Sequence, residues 1–383
     1  MKQNTGLIHH PYQPPAGFDA PQPGVFKAST VIFPNTAALR ARNWKEKTGY
    51  TYGLHGTPTT FTLEERLATL EGGAQCLLAP SGLAAIALVN LALLKTGDEV
   101  LLPDNAYGPN KEMARSDLAG WGITHRFYDP MDPAALAAMV RPNTRLVWLE
   151  APGSVTMEFP DLPALVKASG AAVTALDNTW GAGIAFCGFD CGAQIVMQAL
   201  TKYPSGGGDV LMGSVTTRDE ALHLKLKFAH MRLGLGVGAN DAETVLRSLP
   251  TLAVRYAVHD RSARELAAWW QGRSEIARVL HPAVEGSPGH GLWQAQCSAA
   301  AGLFSVVFDP RFSAEQVDRF VDALRLFKLG YSWGGPISLA VPYSVGTMRS
   351  LPSEPWGPLV RFSVGLEDPS DLIADFDQAL KAL

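Results

Sequence analysis

Ala171-Ala172-Val173-Thr174-Ala175-Leu176-Asp177-Asn178-Thr179-Trp180, and further on Ile195-Val196-Met197-Gln198-Ala199-Leu200-Thr201-Lys202, are the stretches that decide how this chain reads. Residues 171–176 form a short apolar run that ends in a polar cluster, the pattern of a buried strand meeting a loop. Residues 195–200 read the same way, and Pro204-Ser205-Gly206-Gly207-Gly208 turns the chain just beyond them. An aspartate and a lysine thus stand at the carboxyl ends of two strands, the edge where open α/β sheets bind ligands. Taken singly, each has an ordinary reading, a solvated loop lysine and an aspartate capping its turn. Taken together they offer more, because a desolvated lysine can form a Schiff base while an upstream acid keeps a cofactor's ring nitrogen protonated. Pyridoxal phosphate needs that pair of groups.

On either side of this centre, strand and helix alternate from residue 51 to about 250. Helical patterns at 63–71, 82–95, 110–119, 133–140 and 162–169 separate apolar runs at 99–102, 123–127, 146–149 and 173–176. Such alternation predicts an α/β fold with right-handed crossovers and a mainly parallel sheet flanked by helices. Residues 1–50 carry Pro11, Pro14, Pro15, Pro21, Pro23 and Pro34, and are expected to form an extended arm with one short helix near 36–47. The arm's Tyr12, Phe18, Phe26 and Phe33 need a surface to lie on, and a neighbouring subunit is the expected one. A helix-rich passage at 220–277 leads into a smaller α+β C-terminal domain over 251–383, with strands at 302–308 and 359–364 and helices at 314–325 and 372–382.

The 383 residues suffice for two domains, and a net charge of −4 with scattered Lys and Arg gives no footprint for nucleic acid or an anionic membrane. The longest charge-free run, 72–94, is broken by Gln75, Pro80, Ser81 and Asn90 and does not read as a membrane span. Met1-Lys2-Gln3-Asn4 opens no signal peptide, and Cys76, Cys187, Cys191 and Cys297 have no zinc-ligand spacing. The expectation is a cytoplasmic protein with reduced thiols and no metal.

Three further stretches bear on a cofactor. Pro80-Ser81-Gly82-Leu83 opens an apolar helix, where unpaired N–H groups can bind a phosphate, although Ser81 also suits a simple N-cap. The Thr201 hydroxyl, next to Lys202, could reach the same phosphate. Asp104-Asn105-Ala106-Tyr107 follows another strand, and a tyrosine there can stack on a flat ring or pack its loop. No G-x-G-x-x-G or Walker sequence stands between a strand and a helix, which disfavours an ordinary nucleotide-binding protein.

The motifs Tyr52-Gly53, Pro80-Ser81-Gly82, Asp104-Asn105-Ala106-Tyr107, Glu150-Ala151-Pro152-Gly153-Ser154, Asp177-Asn178-Thr179-Trp180, Thr201-Lys202-Tyr203 and Arg361 to Asp368 occur in this order. Together, from about residue 20 to the end, the chain resembles the Cys/Met-metabolism family of pyridoxal-phosphate enzymes. That resemblance implies a PLP-dependent transferase-like fold of type I. It implies that Lys202 carries the cofactor and moves the substrate's α-proton, that Asp177 pairs with the pyridinium nitrogen, and that Tyr107 stacks on the ring. Gly82 and Leu83, with Thr201, would hold the phosphate. Tyr52 would reach in from a neighbouring subunit of a homotetramer made of dimers, and Arg361 would grip the α-carboxylate of an amino-acid substrate.

Tyr331-Ser332-Trp333 resembles the family members that cleave cystathionine at its β-carbon, whereas the γ-acting relatives typically carry glutamate at the position of Tyr331. The resemblance therefore implies β-elimination to homocysteine, pyruvate and ammonia. A γ-lyase or γ-synthase, a cysteine desulfhydrase-like enzyme and a non-catalytic regulator on the same scaffold remain the alternatives. One position departs from the family. Leu54 stands where an arginine usually helps to bind phosphate across the subunit boundary, which leaves the helix start, hydroxyls or His55 to do so.

Overall fold

The computed structural model describes residues 3–12, 14, 16–352 and 356–383; Pro15, one of the prolines behind the expected arm, and the Met1-Lys2 start lie outside the described residues. Seven strands form the larger sheet: β1 (Gln75–Ala79), β2 (Glu99–Pro103), β3 (Thr124–Tyr128), β4 (Thr144–Glu150), β5 (Val173–Asp177), β6 (Ile195–Ala199) and β7 (Gly213–Thr217). Their order is β1-β7-β6-β5-β4-β2-β3. The run from β6 to β3 is parallel throughout, and β7 lies antiparallel between β1 and β6. Parallel strands buried on both faces read as continuous apolar runs, and all five strands of this parallel run were visible in the sequence. Side chains alternate across the sheet. Leu77, Leu102 and Trp148 enter the core on one face, and Leu78, Leu101 and Val147 the core on the other. Each such burial contributes on the order of 1.5–3 kcal/mol, so the register of the sheet is firmly set.

The helices that matter for the site start at its carboxyl edge. After α1 (Gln3–Ile8) and α2 (Thr36–Arg40) come α3 (Pro58–Glu71), α4 (Gly82–Leu93) and α5 (Gly108–Met113). Thr57 and Thr60 form a capping box on α3, and Ser81 Oγ accepts the Ala84 N–H at 3.0 Å to open α4. Glycine is required at 82, because a Cβ there would lie 2.6 Å from the Ala199 Cβ and 3.2 Å from its Cα. The start of α4 is thereby pressed against the end of β6.

The second sheet joins β8 (Ile276–Leu280), β9 (Leu303–Phe308), β10 (Lys328–Leu329), β11 (Leu339–Tyr343) and β12 (Leu359–Ser363) in the order β10-β11-β12-β9-β8. Trp270, at the end of the helix Leu252–Trp270, packs with Phe308, Phe320 and Phe376 as an aromatic core behind it. Two buried hydrogen bonds tie the sheets together: Ser305 Oγ donates to Val155 O at 2.7 Å, and Gly302 N donates to the Tyr203 hydroxyl at 2.8 Å.

Several details differ from the sequence reading. The arm begins with α1, whose Leu7 is buried against its own chain, and α2 stops at Arg40, well short of residue 47. Farther along the arm, Phe26 N donates to Thr59 Oγ1 at the start of α3 while Phe18 and Ile32 stay exposed, so the arm lies only partly on its own subunit. Strand β8 begins where a helix was expected to continue, because that helix ends at Trp270. Pro342 hides β11 from a sequence reading. It is tolerated because β10 pairs only with Leu339 and Ala340, leaving the proline on an edge that needs no N–H. Among the described residues, no helix is long and apolar enough to cross a membrane.

Candidate active site

The carboxyl edge of the larger sheet opens into a cleft of about 210 Å³. Asp177, Lys202, Tyr107, Gly82, Leu83, Thr201, Trp333 and Arg361 all line it, so residues spread over most of the chain meet at one place. Ser332 touches the same cluster through its side chain, and Tyr331 is 81% exposed beside it.

Lys202 follows β6 and donates from Nζ to Ser332 Oγ at 2.7 Å. Its ammonium lies 5.4 Å from the centre of the Trp333 ring. Burial and the nearby Arg361 charge lower its pKa to about 8, with Asp177 opposing them. A lysine so placed has a substantial neutral fraction near physiological pH. Asp177, at the end of β5, accepts hydrogen bonds at Oδ1 from Thr179 N (3.0 Å) and Thr179 Oγ1 (2.5 Å). The Thr179 hydroxyl in turn accepts the Ala199 N–H at 2.9 Å, which locks the ends of β5 and β6 together. Burial raises the Asp177 pKa, while the Thr179 bonds and the Lys202 charge pull it down.

Arg361 reaches in from β12, is 9% exposed, and donates to Ser332 O at 3.3 Å. Its Nε is buried with no partner among the described residues, a donor left over for a ligand. The Thr201 hydroxyl is engaged with Met212, donating to its carbonyl at 3.3 Å and accepting its N–H at 3.2 Å. Phosphate contacts from this hydroxyl would compete with that pairing. The first N–H groups of α4 have no acceptor within the helix, and Gly82 brings them close to the Lys202 turn.

Tyr52, Leu54 and His55 lie away from this cleft. Leu54 and His55 line a separate pocket with Trp44, Lys227 and His230, and Tyr52 is 46% exposed next to them. His55 shares a 2.9 Å hydrogen bond with Thr51 Oγ1 and stacks on Trp44 at 5.1 Å. Burial, with the charges of Lys227, His230 and Arg42, lowers its pKa, so it is a neutral imidazole at pH 7 and a poor substitute for an arginine.

The sequence reading assigned no role to Glu150 or Thr179, although both stand in quoted motifs. Glu150 ends β4, in register with Asp177, and lines the cleft. Burial and the neighbouring Asp177 push its pKa up to about 8. An acid beside a lysine of lowered pKa, an orphaned guanidinium donor and a helix start cleared by glycine fit a flat, phosphorylated, nitrogen-containing ring.

The model of the Cys/Met metabolism PLP-dependent enzyme family matches residues 4–381. The chain belongs to that family. The enzyme is 41% identical to cystathionine beta-lyase of Bordetella avium, over 98% of this chain and 96% of the relative. It is 34% identical to cystathionine gamma-lyase of Bos taurus, over 88% of this chain and 85% of that one. Its fold is similar to the crystal structure of metB from Corynebacterium glutamicum, with a TM-score of 0.91 and 30% identity, covering 100% of this chain and 98% of the other. Its cofactor is pyridoxal phosphate.

Proposed function

We propose that this pyridoxal-phosphate-dependent enzyme is a carbon–sulfur lyase that cleaves cystathionine by β-elimination, releasing homocysteine, pyruvate and ammonia. One observation carries the reading: a lysine drawn toward neutrality, a half-buried aspartate and a buried arginine with a free donor face the same cleft. Bound pyridoxal phosphate supplies an electron sink, held through Lys202 and Asp177, with Gly82, Leu83 and Thr201 at the phosphate. Arg361 binds the substrate's α-carboxylate and aims its Cα–H at Lys202. The Lys202 amine takes that proton at Nζ, and Ser332 keeps the nitrogen in place through its 2.7 Å hydrogen bond. The electrons of the broken C–H bond then expel the thiolate from Cβ, and the remaining aminoacrylate hydrolyses to pyruvate and ammonia. Tyr107 packs against the ring, and Trp333 screens the lysine from water.

Tyr52 belongs to the same reading as a group donated to a neighbour's cleft, in a homotetramer of paired chains; its exposure and its absence from its own cleft support this. Such an enzyme would serve methionine biosynthesis in the cytoplasm.

The similarity to a gamma-lyase favours a second reading, γ-elimination on the same scaffold. Tyr331, in place of a glutamate, speaks for the β-carbon. Purified protein loaded with pyridoxal phosphate and given cystathionine separates the readings: pyruvate is expected, and 2-oxobutyrate would overturn the choice. Keto acid from cysteine but not from cystathionine would point to a desulfhydrase, and none from either to a regulator.

A further inference from the structure

Glu150 is the cleft residue to which the reaction above gives no task. It closes β4 in register with Asp177 on the adjacent parallel strand, so the two carboxyl groups leave the same face of the sheet about one strand spacing, roughly 4.8 Å, apart. Both line the cleft. Two donors hold Glu150: the main-chain N–H of Tyr107 at Oε2 and the Ser154 hydroxyl at Oε1, each at 2.7 Å. Tyr107 is the residue just before α5, and no side chain caps that helix. The Glu150 carboxyl is therefore what anchors the main chain carrying a ring that is 44% exposed in the cleft.

We propose that Glu150 is a positioning residue of the cofactor site, which fixes Tyr107 through its main chain and forms with Asp177 a carboxyl pair in which Glu150 keeps the proton and Asp177 the charge. The second half rests on the reading of Asp177 as the partner of the ring nitrogen. Two acids this close cannot both ionise cheaply, and the surroundings decide which one does. Thr179 donates twice to Asp177, and the Lys202 ammonium adds its attraction. Burial raises the Glu150 pKa and the Asp177 charge raises it further, with the Tyr107 N–H, the Ser154 hydroxyl and the Arg349 charge acting against this. Burial pushes up the Tyr107 and Tyr128 phenols, helped by the charges of Asp177 and Glu150 at Tyr107 and of Glu150 at Tyr128, so both are neutral at the pH values concerned. Arg349 donates from Nη2 to Ser154 O at 2.9 Å and Thr156 Oγ1 at 2.6 Å; among the described residues its Nη1 has no hydrogen-bond partner and it forms no ion pair with Glu150. A neutral Glu150 still accepts the Tyr107 N–H, and it leaves Asp177 as the anion met by a cationic ring nitrogen.

The test begins on the apoprotein. Infrared difference spectra of carboxyl-labelled glutamate, wild type minus Glu150→Gln, should show a protonated carboxyl at pH 7 that disappears as the pH rises through about 8. Taking the difference removes the other glutamates, among them Glu71, whose pKa burial also raises. An ionised Glu150 at pH 7 would overturn the pair. The anchoring half is read from the dissociation constant of pyridoxal phosphate. Glu150→Gln retains an acceptor for the Tyr107 N–H and should bind within about threefold of wild type, whereas Glu150→Ala strands that N–H and should bind roughly tenfold more weakly. Equal affinity in all three proteins would overturn it. If Glu150→Ala does not fold, Glu150→Asp, one methylene too short, takes its place with the same expectation. The infrared result needs no cofactor, so it can fail or succeed independently of the reaction proposed above.

Discussion

The inner wall of the cleft and its rim are built in different ways. On the inner wall, Asp177, Glu150 and Lys202 end strands or follow them directly, and each has a defined partner at 2.5–2.7 Å. At the rim, Tyr331 is 81% exposed and Leu211 71%, both on loops or bends, and Tyr52, away from its own chain's cleft, is 46% exposed. Strand ends are fixed by the sheet's register, whereas a rim residue is fixed only by what later covers it. The groups proposed to hold the cofactor are thus preorganised within one chain, while those that would read the far side of the substrate depend on a neighbour or on the substrate itself.

The sharpest way to break this comparison is at Lys202. Lys202→Ala should abolish the visible absorbance of the bound cofactor and lower pyruvate formation by roughly a thousandfold or more, since the base is lost along with the covalent link. Normal turnover would show that the inner wall is not the chemical centre. Next comes Arg361→Ala, for which the Michaelis constant should rise by roughly ten- to a hundredfold, with a smaller change in kcat, as a charge-assisted contact is removed. An unchanged Michaelis constant would move carboxylate binding to the rim.

A third test asks what keeps the inner wall rigid. Below it, Glu71 of α3 accepts from Asn178 Nδ2 at 3.0 Å and from Gln198 Nε2, tying the residue after Asp177 to the strand that leads to Lys202. Burial raises the Glu71 pKa from 4.5 to about 7. Between those values the folded protein binds more protons than the unfolded one, so this group's contribution to stability falls as the pH rises from about 4.5 to about 7 and is flat above. The loss amounts to about 3 kcal/mol. Glu71→Gln should remove that slope, because the Asn178 Oδ1 and Gln198 Oε1 atoms lack partners among the described residues and can accept the new amide after a flip. Thermal melts at pH 5 and pH 8 should then show the variant gaining on wild type at the higher pH. An unchanged difference would mean that Glu71 titrates in the folded protein as it does in the unfolded chain.

The same division explains how much could be read from sequence. Asp177 and Lys202 were legible because an apolar run followed by a polar residue fixes both the strand and its end, and Ser81-Gly82 was legible as a helix start because a small-residue turn precedes an apolar helix. Glu150 was not, since its partnership with Asp177 exists only through cross-strand register, which no local pattern encodes. The contact between Lys202 and Ser332 spans 130 residues of chain and needs both sheets in place. Strand β11 was hidden by Pro342, which a sequence reading counts against a strand and an edge position permits.

The smallest expected effect bears on the rim alone. Leu54 stands beside Tyr52, both outside their own chain's cleft, and the adjacent His55 does not replace a lost arginine, since it is neutral and stacked on Trp44. If this segment borders a neighbour's cleft, Leu54→Arg places a cation near the cofactor's phosphate at a partly solvated boundary. Such a charge contributes about 0.3–1 kcal/mol, so affinity for pyridoxal phosphate should improve roughly two- to fivefold and the gain should shrink as salt is added. If the rim is not shared, the substitution lies too far from its own chain's cleft to change binding at any ionic strength. Equilibrium titrations at low and high salt therefore distinguish a rim completed by a second chain from one that remains open to solvent.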